Sequence, residues 1–253
     1  MALFAVPVIL AALWFFLAKH ALWRLPRNPR WPRILLYHRV TAREPASGVN
    51  TPPALFEKQL LLLKAQDKIF CTVSEMADLC HMKEEGNDRL VALTFDNGWL
   101  DNWQEMFPIL QKHGAKATVY LAPKHPDIDP LKPEHIRAMQ DSGLVEFGAQ
   151  TMRHARLTRC SDDDARLEIT RSRAAVEALT GVRCRSFAYP FGRFRQRHCD
   201  MVRAAGFDTA VTAKKEIRPW LKQNRVRLCR IGISGKASLW QFKIALSRGK
   251  HHL

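Results

Sequence analysis

Residues that can carry acid–base or ligand chemistry follow several short apolar runs of this 253-residue sequence, at points where strands are predicted to end. At these points stand His38, Asp96 with Asn97, Gln150, and Tyr189 with Pro190. Carboxylate and imidazole groups can move protons during a reaction. In a barrel of parallel strands the carboxyl ends of the strands meet at one mouth, where catalytic residues lie. The pattern indicates an enzyme active site, although these residues alone do not name a reaction.

The elements that must position these residues are alternating strands and helices from residue 34 onward. Strands are predicted at 34–37, 90–95, 116–122, 145–149, 185–189 and 209–212, and helices at 55–66, 102–113, 133–143, 161–181 and 196–205. The longest helix has Ser161 as its N-cap and ends at Gly181. Strands separated by helices pair in parallel, so the sequence predicts an α/β fold, either a doubly wound sheet or a β/α barrel.

Six segments carry a more specific signal. They read YHRV at 37–40, TFDNGWLDN at 94–102, ATVYL at 117–121, GAQTMRH at 148–154, FAYPFG at 187–192 and GFDTAVT at 206–212. In order and spacing they resemble the motifs of the polysaccharide deacetylase superfamily, the NodB-homology domains of carbohydrate esterase family 4. The resemblance implies a distorted (β/α)7-type barrel and hydrolysis of an acetamide or another C–N bond, usually on an N-acetylhexosamine.

The resemblance also implies roles for single residues. Asp96 matches the catalytic base, and Asn97, Gln150 and His154 stand at the three metal positions. Other members hold a divalent metal, commonly Zn²⁺, with an aspartate and two histidines at these positions. Zinc prefers Cys, His and carboxylate ligands, so one imidazole and two amides form a weak site. The sequence therefore leaves open whether zinc binds, or whether amide and backbone N–H groups polarise the carbonyl instead.

The general acid and the sugar contacts are less well defined. The C-terminal L-H-D motif that supplies the acid in many members is absent, because the chain reads CRIG at 229–232. His38 is the best remaining candidate for the acid, with a buried structural histidine as the alternative. Tyr189, Pro190 and Trp99 are candidate substrate contacts, and core packing is the alternative for the two aromatic rings.

The formal net charge of +16 is concentrated at the two ends of the chain. Residues 1–33 hold five cations and no acid, and residues 214–253 carry +10, which leaves +1 for residues 34–213. A nucleic-acid groove needs cations on the core domain itself, so nucleic acid is not an expected partner. The pattern favours an anionic membrane surface. The six cysteines match neither a zinc motif nor a disulfide framework.

Residues 2–18 form an uncharged apolar run of seventeen residues, followed by cations. The run predicts an N-terminal membrane anchor helix, with a cleaved signal peptide as the alternative. The positive-inside rule places the following domain on the cytoplasmic face of the inner or plasma membrane. The expected division is an anchor and basic linker at 1–33, a deacetylase-like domain at 34–235, and a basic helix or tail at 236–253 that covers the barrel or lies on the membrane.

These observations predict a hydrolase that deacetylates an N-acetylated sugar of a lipid-linked or surface glycan at the membrane. The expected partners are that glycan and the anionic membrane surface. The rival is a catalytically inactive relative that binds glycans through the same barrel.

Overall fold

The computed structural model describes residues 24–82 and 89–250, together with the single positions Leu10, Trp14 and Phe15. Apart from those three positions, the predicted anchor over residues 2–18 lies outside the described residues. Within the described part of the chain, no helix is both long enough and apolar enough to cross a bilayer.

Parallel strands form the centre of the molecule. The ten described strands are β1 (Arg33–Tyr37), β2 (Arg39–Val40), β3 (Asn50–Thr51), β4 (Ile69–Phe70), β5 (Leu90–Asn97), β6 (Ala117–Leu121), β7 (Val145–Ala149), β8 (Ser186–Ala188), β9 (Thr209–Val211) and β10 (Ile231–Gly232). The main sheet has the order β10-β1-β5-β6-β7-β8-β9, and β4 pairs with β5. Every pairing in this sheet is parallel, which confirms the predicted α/β architecture.

A short segment near the C-terminus connects the two edges of this sheet. Ile231 pairs with Leu35 of β1, and Leu228 forms a parallel bridge to Val211 of β9. The backbone N–H of Leu228 donates to the carbonyl of Ala210 at 2.9 Å. The segment therefore closes the sheet into a distorted barrel.

Helices connect the strands and cover the outside. The described α-helices are α1 (Pro53–Lys64), α2 (Val73–Met82), α3 (Phe107–His113), α4 (Pro133–Asp141), α5 (Asp162–Thr180), α6 (Gln196–Ala204) and α7 (Leu239–Arg248). The predicted helices lie within a few residues of their observed bounds, except that 102–113 begins with a π-helical turn, Asn102–Met106. Ser161 caps α5 as expected, because its side chain accepts from the Asp164 backbone N–H at 3.1 Å.

Alternation along the strands places the candidate residues inside the barrel. On β5, Val91, Leu93 and Phe95 belong to the outer core beneath the helices, whereas Leu90 and Ala92 belong to a second, inner cluster. Successive side chains of a strand point to opposite faces. The inward column therefore continues through Thr94 and ends at Asp96, at the carboxyl end of the strand. The same alternation on β7 makes Glu146, Gly148 and Gln150 the inward positions.

The opposite end of the barrel is filled by α2, which the sequence did not predict. Val73 and Met76 join the inner cluster. The Glu146 carboxylate accepts from the Ser74 backbone N–H at 3.2 Å and from the Thr118 hydroxyl at 2.9 Å. Burial raises the pKa of Glu146. The positive N-terminal end of α2 therefore lies against a carboxyl group that hydrogen bonds satisfy.

The C-terminal helix α7 packs on the domain through Phe242, Ala245 and Leu246, all of which are buried. Its last turn also meets the first residue of β1, because the Arg33 Nε donates to the Leu246 carbonyl at 3.0 Å. Helix α7 therefore packs against the domain. The predicted domain boundaries at residues 33 and 235 stay predictions.

Candidate active site

A buried ion pair lies at the centre of the mouth, the end of the barrel where the strands finish. The Arg230 guanidinium donates from Nη1 to Asp96 Oδ1 at 2.6 Å and from Nη2 to Oδ2 at 2.9 Å. Both residues are nearly inaccessible to solvent, at 1% exposed for Arg230 and 4% for Asp96. Bidentate pairs of this kind fix geometry as well as charge.

Arg230 is held from three sides. Its Nε donates to the Thr212 carbonyl at 2.8 Å, and its Nη1 also donates to the Thr94 hydroxyl at 3.1 Å. The guanidinium carbon lies 5.8 Å from the centre of the Tyr120 ring. The guanidinium therefore spans the barrel between the strand that carries Asp96 and the end of β9.

The ion pair determines the charge of Asp96. Burial alone would raise the pKa of this carboxyl group, but the charge and hydrogen bonds of Arg230 outweigh burial, so the pKa lies below its ordinary value. Asp96 is consequently an anion at neutral pH. An anion there fits the predicted base, although a depressed pKa makes it a weak one.

Two neutral histidines lie beside this anion. Burial lowers the pKa of His38, and the charges of Asp96 and Arg230 act on it in opposite directions. Burial and the charge of His125 lower the pKa of His154 to about 4. Both imidazoles are therefore uncharged at neutral pH. The structure places His38 and His154 close enough to Asp96 for their charges to act on its pKa, and their predicted roles as general acid and metal ligand stay predictions.

His125 was not found by sequence reasoning. It follows β6, and its ring stacks on His154 with centroids 4.9 Å apart. The half-exposed ring of Phe191 contacts His154 from another direction, with centroids 4.5 Å apart. A histidine in the loop after a strand was the available signal, but the PKHPD segment resembles no family motif.

At the other two metal positions, the Gln150 side chain contacts the backbone of Asn97. The Asn97 backbone N–H donates to Gln150 Oε1 at 2.9 Å. Asn97 Oδ1 is buried and has no hydrogen-bond partner among the described residues. The Gln150 oxygen thus has a protein partner, and the Asn97 oxygen is the free acceptor.

These donors do not fit a tight zinc site. In the described residues, no group of three or more His, Cys, Asp or Glu side chains is arranged to hold a metal ion. Asp96 is bound by Arg230, Gln150 is a neutral amide already in a hydrogen bond, and His154 supplies the imidazole. Amide oxygens are poor ligands for zinc. No catalytic step is therefore assigned to a metal here.

The predicted sugar contacts are placed mostly in the core. Tyr189 is fully buried, stacks on Phe194 at 4.4 Å, and donates its hydroxyl to the Val226 carbonyl at 3.0 Å. Pro190 is buried as well. Trp99 is partly exposed, but the Arg39 guanidinium covers one face of its ring at 4.4 Å. For Tyr189 the structure shows the core-packing alternative.

Backbone strain is concentrated at the mouth. Among the described non-glycine residues with positive φ are Asn97 (82°), Thr151 (63°), His154 (55°) and Phe191 (57°). Such conformations cost free energy and cluster at functional sites. The local backbone is therefore arranged to direct these side chains, at some cost in stability.

Comparison with known proteins identifies the family. The family model for polysaccharide deacetylase matches residues 83–210, slightly more than half of the chain. The chain belongs to the polysaccharide deacetylase family. It is also 23% identical over 193 residues to YxkH of Bacillus subtilis (strain 168), a protein named as a polysaccharide deacetylase, across 76% of this chain and 68% of that relative. Membership confirms the enzyme class predicted from the sequence, a hydrolase of the glycan N-deacetylase kind.

Solved structures confirm the fold. The Streptococcus pyogenes deacetylase PplD, solved in complex with acetate, superimposes with a TM-score of 0.79 at 23% identity, covering 87% of this chain and all of that one. IcaB from Ammonifex degensii gives a TM-score of 0.76 at 23% identity, over 89% of this chain and 99% of that chain.

The buried ion pair predicts a specific pattern of stabilities. Arg230→Met should lower the free energy of unfolding by about 3–5 kcal/mol, because it leaves the Asp96 carboxylate buried and unpaired. Adding Asp96→Asn to Arg230→Met should lower the free energy of unfolding by less than Arg230→Met alone, since the double variant buries no unpaired charge. Unfolding of the wild type and of the two variants in guanidinium chloride measures these differences.

Arg203→Met is the matched control, because Arg203 pairs with Asp200 at 2.8 Å on the exposed surface. It should cost less than about 1 kcal/mol. If Arg230→Met were as mild as this control, the ion pair would not be the buried contact described here.

The amides at the metal positions predict little bound zinc in the purified protein. Asn97→Asp with Gln150→His restores a carboxylate and an imidazole beside His154, and should raise the zinc content towards one per chain. Mass spectrometry of the metal content measures this, and adding His154→Ala should remove the gain. Stoichiometric zinc in the wild type would contradict the prediction and make the two amides genuine ligands.

Proposed function

We propose that this protein hydrolyses the acetamide of an N-acetylated sugar, with Asp96 and His38 as its catalytic residues. The observation that carries the proposal is the anionic Asp96 at the mouth of a deacetylase-family barrel, beside two uncharged histidines. Such a site holds a base and an imidazole ready to receive a proton, which amide hydrolysis needs.

The proton transfers follow from these charges. Asp96 accepts a proton from water as the oxygen attacks the acetamide carbon. The depressed pKa of Asp96 favours passing that proton on to the neutral His38 imidazole. His38 then donates it to the leaving nitrogen as the C–N bond breaks, so a free amine and acetic acid are formed, and the acid ionises to acetate by releasing the second proton of the water to solvent. Arg230 holds the carboxylate in place throughout.

The side-chain amides of Gln150 and Asn97 form hydrogen bonds to the acetamide of the substrate. The Gln150 oxygen faces the Asn97 N–H, which leaves its Nε2 as a donor for the developing oxyanion. The unpartnered Asn97 Oδ1 can accept the N–H of the acetamide. These two contacts would orient the amide without a charged ligand.

The proposed substrate is a lipid-linked or surface glycan at the inner or plasma membrane, with the domain on the cytoplasmic face. Support comes from the sequence, where seventeen uncharged residues at 2–18 precede cations and the C-terminal 214–253 segment carries +10. A cationic surface beside an apolar segment is attracted to anionic lipids.

Acetate release tests the proposed activity directly. Wild type should release acetate from oligomers of N-acetylglucosamine or from the same sugar on undecaprenyl diphosphate. Asp96→Asn should lower kcat/KM by about a thousandfold or more, because both base and anion are lost. His38→Gln should lower kcat more than it raises KM.

Asp141→Asn is the matched control, since Asp141 ends α4 on the exposed surface and precedes the start of β7, whereas the mouth lies at the other end of that strand. It should keep the wild-type rate. Undiminished activity in Asp96→Asn would contradict the assigned role. If the wild type binds these glycans but releases no acetate, the protein is instead a catalytically inactive glycan-binding member of the family.

The membrane location has its own test. A fluorescent reporter fused after Leu253 should be active, an alkaline phosphatase fusion at the same point should be inactive, and deletion of residues 1–23 should weaken membrane retention. Active alkaline phosphatase would place the domain on the other side of the membrane.

A further inference from the structure

A cationic cavity of about 670 Å³ opens beside the mouth. Five cations contribute to its lining, namely Arg193, Lys214, Arg218, Lys222 and Arg227, and none of its lining residues is an acid. We call this cavity the basic groove. Clefts lined by charges of one sign concentrate ions of the opposite sign.

The basic groove shares two wall residues with the active site. Phe191 lines the groove, and its ring also contacts His154, with centroids 4.5 Å apart. Thr212 lines the groove as well, and its carbonyl accepts from Arg230 Nε at 2.8 Å. A substrate with its acetamide at Asp96 therefore has the groove directly on the other side of Phe191.

The cations of the groove are only partly neutralised. Lys214 and Arg218 both pair with Glu216, at 3.1 and 2.5 Å. Arg193 and Lys222 are exposed and form no ion pair with any described residue. Like charges around one cavity repel each other, so a bound anion would remove an unfavourable interaction.

A second cavity, of about 320 Å³, continues from the groove towards the N-terminal residues. It shares Arg218 and Lys222 with the groove and adds the cations Arg24, Arg27 and Arg248, and Glu216 is the one acid in its lining. Leu25 and Leu221, each next in sequence to a lining residue, are 80% and 76% exposed. Cations beside exposed apolar side chains are typical of a surface that meets lipid headgroups.

We propose that the basic groove binds the phosphate or diphosphate that joins the substrate sugar to a lipid carrier. The sugar would lie at Asp96, the phosphate in the groove beyond Phe191, and the lipid towards the second cavity. Arginine and lysine are the side chains that bind phosphate oxygens most strongly. This inference rests on the proposed deacetylation and adds a specific class of substrate to it.

The test compares three acetylated substrates. They are N-acetylglucosamine on undecaprenyl diphosphate in detergent, UDP-N-acetylglucosamine, and a neutral N-acetylglucosamine tetramer. In Arg193→Gln/Lys222→Gln, the ratio of kcat/KM for the lipid-linked substrate to that for the neutral tetramer should fall about tenfold or more, because two charge-assisted contacts are lost. The control Arg137→Gln/Arg166→Gln removes two exposed helix cations and should leave the ratio unchanged.

The arms separate the sources of phosphate. If kcat/KM relative to the neutral tetramer falls for both the lipid-linked and the UDP substrate, the groove binds the diphosphate. If it falls for the lipid-linked substrate alone, the result supports binding of the lipid-linked phosphate. A fall for UDP-N-acetylglucosamine alone overturns the lipid assignment. An unchanged ratio in an active enzyme overturns the groove while leaving the proposed deacetylation intact.

Binding gives a readout that does not depend on catalysis. Calorimetric titration with farnesyl diphosphate should show binding to the wild type and about tenfold weaker binding to Arg193→Gln/Lys222→Gln. Should the wild type release no acetate from any substrate, the deacetylation proposal fails. The titration still shows whether the basic groove binds a lipid diphosphate. Equal affinity in wild type and double variant, or no binding by either, would overturn it.

Discussion

The buried ion pair of Asp96 and Arg230 is the interaction on which the mouth of this barrel depends. It joins the end of β5 to the short segment whose backbone pairs with β9 and β1, so the segment that closes the sheet also holds the Asp96 carboxylate. The guanidinium offsets the cost of burying that carboxylate and keeps it ionised. Around this fixed charge, the neutral histidines and the two amides form a site that is polar but carries little net charge.

This site differs from a metal-centred site because it has no cluster of anionic ligands that could hold a divalent cation. Amides at positions 97 and 150 add no negative charge beside Asp96, and the Asn97 backbone N–H already satisfies the Gln150 oxygen. Catalysis in such a site depends on preorganised hydrogen-bond donors and proton relays, whose geometry must be held by the surrounding backbone. The positive φ angles of Asn97, Thr151 and His154 are consistent with that requirement.

Much of the fold could be predicted because its signals are local. Apolar alternation located the long strands, and capping residues such as Ser161 located the helices. Arg230 could not be assigned in this way, because its partner lies 134 residues away and only the closed barrel brings them together. A lone arginine in the short LCRIGI run was the one available signal. Similarly, Tyr189 follows a strand like His38 does, and only packing shows that its ring is in the core.

Arg230 holds Asp96 as a buried anion at the mouth. Carbon-detected NMR titration of the Asp96 carboxyl group, in wild type and in Arg230→Gln, measures how far Arg230 lowers the pKa of Asp96. We expect a wild-type pKa below the ordinary aspartate value of about 3.9, and a higher pKa in the variant, where burial is no longer offset. A wild-type pKa at or above the ordinary value, or one that Arg230→Gln leaves unchanged, would show that Arg230 does not keep Asp96 ionised.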